Sequence, residues 1–353
     1  MKILRQTINS ILVILIIFAL MINTQSKAFP NSNSRTPINV GVILFSLDNA
    51  IIRQLKQELE NLQKEHQIKV SVFDAKNNVS IQNEILDSLL KSKPDLIISM
   101  VADPREDSVR EFILKVRTYN IPLILFDVAP EIAKKVSNYY NKVALVLPDS
   151  KKAGEVQGEI IRDLWKNNSI VDKNGDGILQ YVLVSGPKSD IIANQRTQAS
   201  ISTIENSGIK TERLQSVVTD WNRELAKSNI ENIFLTYGNK IEAIIANDDD
   251  LAIGTIEALQ KYGYNIGDNS KFIPVFGING STEAKELIDK GIMSGTVIED
   301  IKELSEAFYA IGINLINNVN PIENTNLKFE NGVIISLQNP EKYINKVKVM
   351  LHS

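Results

Sequence analysis

Residues Asn120-Ile121-Pro122-Leu123-Ile124-Leu125-Phe126-Asp127 form a short continuous apolar run opened by Ile-Pro and closed by a polar residue. Four apolar residues in a row, following a stretch of helical spacing, predict a strand buried on both faces, as in a parallel sheet. The same arrangement returns at Phe272-Ile273-Pro274-Val275-Phe276-Gly277-Ile278-Asn279. Two matching fragments in the two halves of the chain predict paired domains of similar topology.

Working outward from the first fragment, strands are expected at Val40–Phe45, Val70–Phe73, Leu96–Met100 and Leu123–Phe126. Helices alternate with them at Ile51–His66, Val79–Lys91 and Ser108–Tyr119. In the first of these, Ile52, Leu55, Leu59 and Leu62 recur at intervals of three or four. The alternation predicts a doubly wound α/β domain. The pattern then restarts with helices at Ser150–Trp165, Ile192–Asn206, Glu224–Leu235 and Leu251–Tyr262. The strands expected between them are Gln180–Val184, Thr211–Val218, Ala243–Ala246 and Ile273–Gly277. In such sheets ligands bind outside the carboxyl ends of the strands, so two facing lobes would enclose a cleft.

The chain has 353 residues, enough for about two domains. Apolar residues make up 43% and charged residues 23%, which suits a globular protein rather than a disordered one. A formal net charge of -3 supplies no basic field for nucleic acid. There is no cysteine, so disulfides, thiolate nucleophiles and cysteine metal sites are excluded; the two histidines make a multi-histidine metal site improbable.

The first residues read as a signal peptide spanning 1–28. Lys2 and Arg5 precede the apolar run Ile11–Ile22, and Ser26-Lys27-Ala28 places small residues where a signal peptidase cuts. The alternative is a retained anchor, but the run falls short of the ~20 apolar residues that span a bilayer. No cysteine follows it to carry a lipid. The mature protein is expected to be soluble and secreted across the cytoplasmic membrane, in the periplasm or at the cell exterior.

Asp172-Lys173-Asn174-Gly175-Asp176-Gly177-Ile178-Leu179-Gln180 fits the D-x-N-x-D-G calcium loop. Oxygens at positions 1, 3 and 5 converge, glycine at 6 makes the turn, Ile178 offers a carbonyl, and Gln180 offers an amide oxygen. Position 12 is Leu183 rather than the bidentate glutamate of an EF-hand, so a distant carboxylate must close the shell. The alternative is a metal-free polar turn.

This loop, together with Arg196, Gly208-Ile209-Lys210-Thr211-Glu212, Trp221, Lys240-Ile241-Glu242, Ile245-Ala246-Asn247, Pro274-Val275-Phe276-Gly277 and Gly295-Thr296-Val297, resembles the bacterial periplasmic galactose/glucose-binding proteins. The resemblance runs from about Ile38 to Lys346 and is closest from Asp172 to Asp300. It implies the periplasmic binding protein type I fold: two doubly wound parallel-sheet lobes joined by a three-strand hinge. The implied lobes are 37–147 plus 302–333 and 148–301 plus 334–353, the second holding the calcium loop. Candidate hinge strands are Val146–Asp149, Glu299–Lys302 and Ile334–Leu337. The resemblance also implies a structural Ca2+ closed by Glu242.

The family's pocket positions carry over in part. The resemblance gives Arg196 the oxygens of the sugar and Trp221 its apolar face, roles that a guanidinium fork and an indole suit. Matching positions also fall on Asn49, Asp127, Asp190, Asp248, Asn279 and Glu299. Several differ from the family: Ile51 stands for a stacking Phe, Ile192 for a carboxylate, and Asp127, Asp248 and Glu299 for asparagines. The acids around one arginine suggest a ligand with many donors or a positive group.

The expected function is therefore a monosaccharide receptor delivering sugar to an ABC permease or to a membrane sensor or chemoreceptor. It is expected to be a monomer, not an enzyme, and not a binder of nucleic acid. The alternative, the effector domain of a sugar-responsive repressor, needs an N-terminal helix-turn-helix where this chain has its apolar run.

Overall fold

The computed structural model describes residues 36–167, 172–330, 332–336 and 339–345. The signal peptide expected at 1–28, the hinge residue Leu337 and the end of the chain from Lys346 lie outside them.

Thirteen strands are described: β1 Ile38–Leu44, β2 Ile68–Asp74, β3 Leu96–Met100, β4 Leu123–Phe126, β5 Val143–Pro148, β6 Ile178–Ser185, β7 Lys210–Val218, β8 Ala243–Ala246, β9 Val275–Phe276, β10 Gly295–Ile298, β11 Lys328–Glu330, β12 Val333–Ser336 and β13 Glu341–Ile344. Between them run helices α1 Ala50–Glu65, α2 Val79–Ser92, α3 Glu106–Arg117, α4 Pro130–Val136, α5 Ser150–Asn167, α6 Ile191–Asn206, α7 Arg223–Tyr237, α8 Asp249–Lys261, α9 Thr282–Asp289 and α10 Ile301–Ile316.

The strands form two sheets, ordered β11-β12-β5-β4-β3-β1-β2 and β13-β10-β9-β8-β6-β7. Counted from the first strand of each half, both follow the doubly wound order 2-1-3-4-5. The fragments that opened the sequence reading, β4 and β9, each occupy the fourth position of their sheet. Both sheets are parallel except for an antiparallel edge partner: β11 pairs with β12, and β13 with β10.

Alternation along the central strands feeds a core on each face. Val42 and Leu44 of β1 pack with Leu55 and Leu59 of α1 and Phe308 of α10. Ile43 joins Leu86 of α2 and Val109 and Ile113 of α3 on the opposite face. The second sheet divides likewise, with Val182 and Val184 of β6 on one side and Tyr181 and Leu183 on the other.

Among the described residues the chain passes between the sheets three times: at Asp149, at Glu299–Asp300, and between Ser336 and Glu341. The last crossing comes later than the boundary at 334 read from the sequence. Ile334 and Ile335 pair in parallel with Val146 and Leu147, and Ile334 is buried in the first lobe's core. That pairing keeps β12 in the first lobe; the chain rejoins the second sheet at β13. Likewise α10 begins at Ile301, one residue before the expected start of the first lobe's return.

Candidate functional site: a cleft at the strand ends

Apart from Arg196, which lies within α6, the residues expected to contact ligand follow the carboxyl ends of strands, and three of them cap helices. Asn49 caps α1 by accepting from the Ile51 and Ile52 N–H groups. Asp190 caps α6 by accepting from Ile192 and Ala193, and Asp248 caps α8 by accepting from Leu251. Their side-chain oxygens satisfy helix-start donors that would otherwise lack partners. Part of what resembled a ligand set is therefore already engaged in building the fold.

Arg196 is at the centre of the second lobe's contribution and is about 5% exposed. Its Nη1 donates to the Asn247 carbonyl at 2.9 Å. Its Nη2 donates to Asn279 Oδ1 at 3.2 Å and to Glu299 Oε2 at 2.5 Å. Close helix packing puts it there. A Cβ on Gly154 of α5 would stand 2.4 Å from the Arg196 carbonyl oxygen, so only glycine lets α5 lie this near α6. Two buried atoms of the pair have no hydrogen-bond partner among the described residues: Arg196 Nε and Glu299 Oε1.

Trp221 is held by strain. Asp220 and Trp221 have φ of 48° and 60°, and the Asn222 N–H donates to the Thr219 carbonyl at 2.8 Å. Two successive left-handed residues closed by this bond make a mirror-image tight turn that usually carries glycine or asparagine. A bulky residue there is an outlier of the sort found at functional sites. The indole lies against Gly186, where a Cβ would come within 2.4 Å of the ring, and its Nε1 donates to Asp190 Oδ2 at 2.9 Å. The half-buried ring also leans on the core beneath β6.

The first lobe contributes Asp127, partly buried and also at positive φ. Burial and the Asp190 and Glu299 carboxylates push it up to about 7, against the opposing effect of Arg196. Asp127 of one lobe therefore lies within electrostatic reach of Asp190, Arg196 and Glu299 of the other. Asp248 is raised to about 7 by burial and by Asp250. Burial also raises Glu299, with Arg196 opposing it.

Sequence reasoning missed what Asp249 and Asp250 do. Asp249 is buried, accepting from Thr296 Oγ1 and from the Ser281 N–H, both at 2.6 Å. It ties α8 to β10 and to the start of α9. Asp250 Oδ2 accepts from the backbone N–H of Ala50 at 3.1 Å, a direct bond between the lobes. Three consecutive acids gave no hint of three separate tasks.

The expected metal ligands lie on one loop running into β6 and just before β8, away from the carboxyl ends of those strands, although their three carboxylates do not all come within 4.8 Å of one another. Asp172 accepts from the Gly175 and Gly177 N–H groups, Asn174 from Asp176, and Asp176 from Ile178. Gly175 and Gly177 adopt φ of 73° and 72°, which glycine supplies without strain. Asn174 and Gln180 both donate to Asp176 Oδ2. Glu242, only 1% exposed, accepts from the Lys173 and Gln180 N–H groups, joining the loop to the strand that follows it. Three carboxylates and two amides, whose oxygens face inward when the groups turn over, make the hard oxygen donor set that calcium takes. The residues present fit the ion.

Residues 40–319 match the family model described as periplasmic binding protein domain. The chain is 30% identical over 319 residues to the D-galactose/methyl-galactoside binding periplasmic protein of Haemophilus influenzae, covering 90% of this chain and 92% of that protein. Among solved structures it resembles a periplasmic solute-binding protein of an ABC transporter from Actinobacillus succinogenes with bound D-allose. That match has a TM-score of 0.69 at 18% identity over 89% of this chain and 99% of the other. It also resembles the myo-inositol binding protein of Caulobacter, with a TM-score of 0.67 at 18% identity over 90% and 96% of the two chains.

Proposed function

The chain belongs to the periplasmic binding protein family, and from that premise we propose that it is an extracytoplasmic receptor whose two lobes close on a monosaccharide. One observation carries this most directly. The Arg196–Glu299 pair is buried at the strand ends yet keeps one donor, Nε, and one acceptor, Oε1, without partners. Buried polar atoms are rarely left so. A sugar hydroxyl both donates and accepts, and matches such a pair. Trp221, fixed in its left-handed turn, offers an indole to the apolar face of a pyranose.

The ligand preference is expected to differ from galactose. Ile192 offers no hydrogen bond where the galactose/glucose-binding proteins have a carboxylate, and an unpaired buried hydroxyl costs ~1–3 kcal/mol. Ile51 removes one stacking wall. Closure about the crossings at Asp149, at Glu299–Asp300 and between Ser336 and Glu341 is the state that an ABC permease or a membrane sensor would read. The calcium loop acts as a structural clamp: a bound ion would neutralise Asp172, Asp176 and Glu242 and fix the loop to the start of β8.

Among the described residues no helix is long and apolar enough to cross a membrane. Titration calorimetry of residues 29–353 with a panel of monosaccharides tests the reading, with loss of binding expected in Arg196→Ala. A chain that binds no sugar with calcium present does not fit it.

A further inference from the structure

Resting on that reading, we propose that the preferred ligand of the cleft carries a positive group: an amino sugar or aminated cyclitol whose ammonium is received by Asp127 and the free oxygen of Glu299. The hydrogen-bonding state of each acid leads there. Asp190 is engaged with the start of α6 and with Trp221. Asp248 is engaged with the start of α8. The Asp127 carboxyl accepts no hydrogen bond among the described residues, and Glu299, about 5% exposed, leaves Oε1 without a partner.

The charges are unbalanced in the same direction. Of the charged groups acting on Asp127, Asp248 and Glu299, Arg196 is the cation in every case; the others are Asp149, Asp190, Asp249, Asp250 and Glu299 itself. Both Arg196 Nη atoms already have acceptors, of which Glu299 is the one carboxylate. Asp127 is raised to about 7 chiefly by burial, with the Asp190 and Glu299 carboxylates adding to the rise and Arg196 opposing it. A neutral hydroxyl could donate to it but would leave the charge uncompensated in a closed cleft. An ammonium supplies three donors and a positive charge together. Asparagine at these positions would offer a mixed donor and acceptor and would repel no part of a neutral sugar.

The test is calorimetry of the calcium-loaded protein with glucosamine and galactosamine against glucose, galactose and the N-acetyl derivatives, which keep the ring but lose the charge. At least one free amine is expected to bind tenfold or more tighter than both its neutral parent and its N-acetyl form. In Asp127→Asn that ratio is expected to fall below threefold. Neutral parents that bind as tightly as the amines, or tighter, overturn this inference while leaving the monosaccharide receptor standing. No binding by any member of the panel removes both.

Discussion

The Ala50 N–H of one lobe donates to the Asp250 carboxylate of the other at 3.1 Å, across 200 positions of sequence. Ala50 opens α1 and Asp250 lies in the first turn of α8, so one carboxylate meets the positive ends of two helices. The bond exists only while the lobes are together. It should therefore favour the closed state without touching ligand.

Asp250→Ala is expected to weaken ligand binding about fivefold, the scale of one net hydrogen bond of ~1 kcal/mol. The ligand-free protein should show a larger radius of gyration in solution scattering. An unchanged dissociation constant and radius would remove the latch.

Arg196 and Trp221 should separate when stability is measured without ligand. Removing the Arg196 side chain leaves Glu299 buried and unpaired, which costs ~3 kcal/mol or more. Trp221 is half-buried, and its loss exposes only part of a core edge. Thermal melts are expected to drop by several degrees in Arg196→Ala and much less in Trp221→Ala. Equal losses would mean that the indole is chiefly a core residue.

Chelation should act on the loop at 172–180. The melting temperature is expected to fall with EDTA and recover with calcium, and Asp176→Ala should abolish the difference. Identical melts in EDTA and in excess calcium would leave the loop as a metal-free turn, held by the hydrogen bonds already described.

Asp127 should give the ligand-free protein a pH dependence of defined sign. Its folded value near 7 lies above the 3.8 of an ordinary aspartate, so the folded state holds the proton more tightly than the unfolded chain does. Its contribution is fully present below about pH 4 and is lost as pH rises through 7. Asp127→Asn is therefore expected to match wild type near pH 4 and to be the more stable protein at pH 8. Melting curves at the two values decide it; a variant less stable at pH 8 would contradict the assignment.

The alternating elements were legible because each buried strand is a short apolar run and each helix keeps its stripe. Leu96–Met100, Leu123–Phe126 and Ala243–Ala246 match their strands residue for residue. The Ile-Pro fragments also gave the duplication, since they mark the fourth strand of both sheets. The fate of β12 was not legible. Ile334–Leu337 read as a hinge strand opening the second lobe's return, but the place of Ile334 and Ile335 is set by pairing with Val146 and Leu147, far away in sequence. The site was half legible for a similar reason. The resemblance to the galactose/glucose-binding proteins pointed to Arg196, Trp221 and the acids, but helix capping by Asp190 and Asp248 depends on where helices begin. The separate tasks of Asp249 and Asp250 depend on Thr296, Ser281 and Ala50, which only the folded chain brings near.

The central claim is that a monosaccharide binds between the lobes against Trp221 and Arg196. Its most direct test is titration calorimetry of residues 29–353 and of Trp221→Ala, both in calcium, with the same panel of sugars. One sugar should bind the parent protein at one per chain, and Trp221→Ala should lose ~2 kcal/mol of that binding, as expected for a packed aromatic anchor. Binding of undiminished strength in Trp221→Ala would place the ligand elsewhere and contradict the account.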